Sequence, residues 1–118
     1  MKALDILKLN KAIKSAYSYE IGEIASLEHD TLNAIYNSLV QIDDTHFMLA
    51  YAGSGDGGFI KIFSIDGSYN ITQIDSLRHD TSSYGTFNSL VQIGSTHFML
   101  AYTGDGNDGY IKTFTINN

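Results

Sequence analysis

The chain's four histidines come in two related pairs. His29 and His79 each precede an aspartate, Asp30 and Asp80, and His46 and His97 each open the same hexapeptide, HFMLAY. A histidine beside a carboxylate is the raw material of a metal site or an acid–base pair. Duplication points the other way, because catalysis rarely needs one pair twice in one chain. His29, Asp30, His79 and Asp80 therefore read as structural loop residues, each histidine bonded to a neighbouring backbone group or hydroxyl. His46 and His97, beside turns, are expected to satisfy turn carbonyls. Asp56, Asp105 and Asp108 lie in glycine-rich segments, and Gly104-Asp105-Gly106-Asn107-Asp108-Gly109 has the alternating oxygen donors of a calcium loop. No bidentate Glu follows at the required distance and the first segment has one carboxylate, so turn chemistry is expected and no metal. These glycines form no phosphate loop, since no helix follows to offer its amides. The chain has no G-x-S-x-G and no H-E-x-x-H, and Asp43-Asp44 falls in a turn that the second copy replaces with Gly94-Ser95. The reading is a non-enzyme with no catalytic residue and no cofactor. What remains is a set of repeat-linked aromatics near loops, Tyr36, Phe59, Tyr69, Phe87 and Tyr110, of which Tyr36, Phe59, Phe87 and Tyr110 together with Asp56, Asp105 and Asp108 are the candidate ligand-binding residues. Rings stack on the apolar faces of sugars while carboxylates and amides bond hydroxyls. Packing between repeats is the competing role for each ring.

Composition narrows the partners. Thirteen Asp and Glu against seven Lys and Arg give a net charge of −6 in 118 residues, which disfavours capture of nucleic acid or an anionic membrane. There is no cysteine and hence no disulfide framework or thiolate chemistry, which leaves the compartment unknown. No apolar run approaches a membrane span, and the N-terminus is broken by Asp5 and Lys8 and lacks a signal-peptide core. Forty-three per cent hydrophobic residues with eight Tyr and six Phe argue for a packed core over disorder.

The elements that position these residues are set by a repeat. Residues 37–67 match residues 88–118 at 20 of 31 positions without a gap, and 37–51 differ from 88–102 only at positions 43 and 44. Upstream the offset drops from 51 to 50, laying Ser26–Thr31 on Ser76–Thr81 and Ser18–Ile21 on Ser68–Ile71. A unit of this length, repeated, is the mark of solenoids and propellers. Within a unit, turn-rich segments separate four short runs of β-forming residues, which we label strands a to d. Strand a ends at Asp43-Asp44-Thr45, b at Gly53–Gly58, c at Asp66-Gly67-Ser68, and d runs into His79-Asp80-Thr81. The prediction is an N-terminal strand d at residues 19–27, a complete a-b-c-d set over 39–77, and a-b-c over 90–116.

Both faces of strand b are apolar, Phe47, Leu49 and Tyr51 on one side and Met48 and Ala50 on the other. Both must therefore be covered. Strand c is intermediate and strand d mostly polar. That gradient from inner to outer strands favours sheets stacked radially face to face, a β-propeller of four-stranded antiparallel blades, over a sandwich or a barrel. The layout resembles WD40-like propeller repeats: His79 stands in the d-to-a loop where that family has Gly-His, and Gly58–Ser64 resembles its strand c. Phe63-Ser64 and Phe114-Thr115 stand where the family has Trp-Asp. The resemblance implies a propeller fold over residues 18–118 and names no ligand.

Two blades cannot close a ring of roughly 4–8. The expectation is a homo-oligomer, with a trimer giving six blades favoured over a dimer or tetramer, in which residues 19–27 complete a neighbour's second blade. Two-bladed lectin chains that trimerise are an analogue. The competing reading is a fragment of a longer repeat protein. Residues 1–17, with Ile6, Leu9, Ile13 and Ala16 at helical spacing, are expected to form a cap or a short amphipathic segment. The functional expectation is a self-assembling structural and binding scaffold, made by blade duplication or by design. The alternative is a carbohydrate-binding lectin with sites at blade junctions.

Overall fold

The computed structural model describes residues 19–117, so the segment expected to cap the N-terminus lies outside the described residues. Seven strands form two antiparallel sheets, a four-stranded one in the order β1-β2-β3-β4 and a three-stranded one in the order β5-β6-β7. The strands are β1 (Ile35–Gln41), β2 (His46–Ala52), β3 (Gly58–Ile65), β4 (Ile71–Asp80), β5 (Thr86–Gln92), β6 (His97–Thr103) and β7 (Gly109–Thr115). Within each sheet, neighbours in sequence are neighbours in space, the simplest route for strands joined by tight turns.

The turns follow local chemistry, in places by other residues than the sequence points to. Between β2 and β3, Gly55 (φ 67°) and Asp56 (φ 58°) are consecutive left-handed residues, and between β6 and β7 Gly106 (φ 69°) and Asn107 (φ 61°) repeat them. Such a pair matches the right-handed twist of the flanking strands. In the β3–β4 turn the left-handed residue is Tyr69 (φ 64°), not Gly67. Asp66 makes this bearable: its carboxylate accepts from the Ser68 and Asn70 amides at 2.8 and 3.0 Å. The turn histidines also bond differently from expectation. The His46 ring meets Asp43 at 2.8 Å and Thr45 at 3.1 Å, and the His97 ring meets Thr96 at 3.1 Å, side chains in each case and not carbonyls.

The first strand of each sheet begins four residues earlier than the sequence pattern, because each carries a bulge. Ile35 pairs with Ala52 and Ser38 with Ala50, so three steps on β1 match two on β2; Thr86 and Ser89 repeat this against Thr103 and Ala101. Apolar alternation breaks at such an extra residue. Strand β4 runs on to Asp80. Residues 19–27, read as a strand, form no ladder in this chain. Their repeat counterpart, β4, already occupies the outer edge of β3.

The sheets pack through one face of each. Met48, Ala50 and Ile60 of the first and Phe98, Leu100 and Tyr102 of the second make one buried cluster, flanked by Val40, Ile62, Leu90 and Phe114. Leu49, Tyr51 and Phe63, on the opposite face of the first sheet, form a second and smaller cluster. Both faces of the first sheet thus carry apolar side chains, as the alternation in β2 requires.

Candidate functional site

Two constellations stand out, and both occur twice or join the two copies. The first is built on the His-Asp pairs. The Tyr102 hydroxyl donates to Asp80 at 2.6 Å, Ser82 adds a second donor at 2.6 Å, and the Lys112 ammonium donates to the His79 carbonyl at 2.6 Å. The His79 ring stands edge-on to Tyr102 and Phe114, with centroids at 5.0 and 5.6 Å. The first copy repeats the arrangement. Tyr51 donates to Asp30 at 2.9 Å, Lys61 to the His29 carbonyl, and His29 stands edge-on to Tyr51 and Phe63 at 4.9 and 5.8 Å. Each cluster fastens the segment entering a sheet to the second and third strands of that sheet.

The electrostatics suit fastening. Burial, with the Lys112 charge adding to it, lowers the His79 pKa to about 4, so the ring is neutral near pH 7. Burial works to raise Asp80, but the Ser82 and Tyr102 hydroxyls and the Ser82 amide outweigh it and bring its pKa down to about 2. Burial and the Asp80 hydrogen bond push Tyr102 above its ordinary value. A neutral imidazole, a fixed carboxylate and a protonated phenol hold no group poised to exchange a proton near neutrality. His29 is lowered by burial and by Lys61, and Asp30 by the Leu32 amide first, in the same directions.

The second constellation joins the sheets. Tyr36 (φ 55°) and Phe87 (φ 52°) sit at the two bulges in left-handed conformations that aromatic residues seldom adopt. Their rings pack at 4.3 Å between centroids, tilted by 47°. Asn88 donates to the Tyr36 carbonyl at 3.1 Å and to the Gly85 carbonyl at 2.8 Å, holding one bulge against the other. Both rings stay open to solvent, Phe87 at 64% exposure. Strained residues that present exposed side chains are where ligand contacts concentrate.

The structure separates the remaining candidates from this pair. Phe59 stacks on Tyr51 at 5.5 Å and Tyr110 on Tyr102 at 5.7 Å, so both rings lean on the fastening clusters. Asp56 lies in its turn 3.4 Å from the Asn33 amide, and the Asp108 amide and carbonyl close the loop that begins at Gly104 and Asp105. Tyr69 lies in the β3–β4 turn. Among the described residues no three His, Asp or Glu side chains gather to hold a metal ion.

Three features escaped the reading of the sequence. Lys61 and Lys112 are fastening residues, signalled by a lysine recurring within an apolar strand. Tyr51 and Tyr102 give their hydroxyls to the aspartates, whereas the sequence points to a backbone or hydroxyl partner for the histidines, and the buried His29 Nδ1 and His79 Nε2 find none among the described residues. An apolar recess of about 320 Å³ opens on the free face of the first sheet, between Leu27, Leu39, Phe47, Leu49 and Ile71. Compared with known proteins, the chain matches no family model, no curated protein and no solved structure.

Proposed function

We propose that the chain is a non-enzymatic β-propeller repeat module that assembles with copies of itself into a closed ring, three chains giving six blades, and serves as a structural and binding scaffold. The observation that carries this reading is a pair of sheets stacked through one face apiece, whose outer faces still leave Leu39, Val91 and Ile111 open. Exposed apolar residues gathered on a sheet face mark an interaction surface. The duplicated His-Asp-Tyr-Lys cluster supports the same reading, since it fixes the approach to each sheet and leaves no proton-transfer group. Native mass measurement at micromolar concentration tests it: a particle of three chains is expected, and a stable monomer overturns it.

A second reading, carbohydrate binding, is favoured by the Tyr36–Phe87 pair, two exposed rings held in strained backbone beside the Asn88 amide. Sugar recognition uses such rings as platforms. Its test is binding to a glycan array, abolished by Phe87→Ala. A blank array from a well-folded protein removes this reading and leaves the scaffold.

A further inference from the structure

We propose that copies of the chain join head to tail, with residues 21–30 of one copy forming the missing fourth strand on the β7 edge of the next. This rests on the reading of the chain as a self-assembling module. The argument lies in the repeat of the interface within one chain. The buried contact uses the Val40, Met48, Ile60 face of the first sheet and the Leu90, Phe98, Leu100 face of the second. The faces left over are the same two surfaces in the other copy: Val91, Met99 and Ile111 on the second sheet, and Leu39 and Phe47, beside the enclosed Leu49, on the first. Ile60 is 5% exposed and its counterpart Ile111 is 69% exposed, while Val91 and Leu39 are open beside partly buried Val40 and Leu90. Two surfaces that already fit each other within the chain are thus presented again, one on each outer face and each partly open.

The strand edges tell the same story. β4 covers β3, pairing Leu77 with Ile60, Ser76 with Lys61, Asp75 with Ile62 and Ile71 with Ile65. Among the described residues no strand covers β7, and residues 21–27, which match β4 in sequence, have no ladder. Carrying the register across the repeat pairs Leu27 with Ile111, Ser26 with Lys112, Ala25 with Thr113 and Ile21 with Ile116 of the next copy. The chain's own β7 belongs to the second sheet, which packs on the opposite face of the first. His29 seats against Tyr51 and Phe63, on the face of the first sheet turned away from the second. Gly109 fits this account. A Cβ on its counterpart Gly58 would come within 2.5 Å of His79, whereas a Cβ on Gly109 would meet none of the described residues within 4 Å. In the assembly His29 of the neighbouring copy whose strand pairs with β7 takes that place. The step between chains is not identical to the step within one. Ala34 stands where the second copy has Gly85, which touches the Gly58 backbone, and Glu28 stands where Arg78 covers the Phe59 ring. A heterologous contact of this kind closes into a ring or runs on as a filament.

The test uses the absence of native cysteine. In Ala25→Cys/Thr113→Cys the two thiols face each other across an antiparallel pair, within the ~4.4–6.8 Å Cα separation that a disulfide spans. Mild oxidation is expected to convert most chains to reductant-sensitive multimers. The single variants and the out-of-register pair Ile21→Cys/Thr113→Cys are expected to stay uncross-linked. A multimer by native mass in which the two introduced thiols stay reduced, or in which the out-of-register pair links equally well, overturns the strand exchange and leaves self-assembly standing. An oxidised monomer overturns the exchange as well, and a chain that is monomeric throughout overturns both.

Discussion

Residues 37–51 and 88–102 are nearly one sequence, yet they occupy two different environments. In β2 Met48, Ala50 and Tyr51 are all fully enclosed, while in β6 Phe98 and Leu100 are enclosed but Ala101 is open to solvent. The sheet flanked on one side by its copy and on the other by the entering segment buries both faces, and the terminal sheet buries one. Identical hydrophobic patterning therefore specifies what a side chain is able to bury against, and position in the stack decides whether it does. For strands that are apolar on both faces, burial is a property of the array more than of the strand.

The strongest way to break this comparison is to truncate the same phenylalanine in each copy. Phe98→Ala removes a fully buried ring between the sheets and is expected to cost about 3–5 kcal/mol in urea denaturation. Phe47→Ala, at the matching position on the free face, is expected to cost well under half of that at concentrations where the protein is dispersed. Equal losses would mean that the free face is covered as fully as the packed one.

The fastening clusters permit a second and smaller contrast. Tyr102→Phe takes a charge-assisted donor from Asp80 and is expected to cost about 1.5–3 kcal/mol. Tyr51→Phe acts on the looser first copy, where the donor lies 2.9 Å from Asp30, and is expected to cost less. A reversed order would show that the first cluster carries the load.

Acid titration separates the copies by pH. His79 has a folded pKa of about 4 against an ordinary 6.5, so the unfolded chain takes up this proton first and stability falls as pH drops from about 6.5 to 4. Asp80, lowered to about 2, stabilises the fold above its unfolded pKa and loses that contribution between about pH 4 and 2. Thermal melts of His79→Gln are expected to flatten the upper part of this fall and leave the lower part. His29→Gln is expected to change the upper part less. An unchanged upper slope in His79→Gln would remove the assignment.

Much of the fold was legible because punctuation and alternation act over a few residues. Asp43-Asp44-Thr45 and the two glycine-rich loops mark real turns, and β2, β3, β6 and β7 lie where the apolar runs place them. The bulges at Tyr36 and Phe87 were hidden, since an extra residue in a left-handed conformation shifts the alternation and leaves no composition signal. Tyr69 took the positive φ expected near Gly67 because the Asp66 carboxylate bonds the amides beside it, a cooperation of side chain and backbone that dipeptide rules omit. The role of Lys61 was hidden in the same way: its strand reads as apolar core, and only the spatial arrival of the His29 carbonyl explains a buried ammonium. The Tyr36–Phe87 contact joins residues fifty-one positions apart, and only the stacking of the sheets brings them together.

The near-identity of the two hairpins, β1–β2 and β5–β6, has a consequence for how the chain reaches this structure. During folding each hairpin is a competent occupant of the other's seat, since 13 of their 15 shared positions carry the same residue. The competition is settled by small parts at the margins: Gly85, whose missing Cβ lets the backbone close on Gly58, and the longer entry loop with Ser82 bound to Asp80. Seating the first hairpin in the second's place would put the Ala34 methyl where the Gly85 backbone closes on Gly58. Interchangeable parts slow a search and invite exchange between chains, and here the margins of the two hairpins carry what tells one seat from the other.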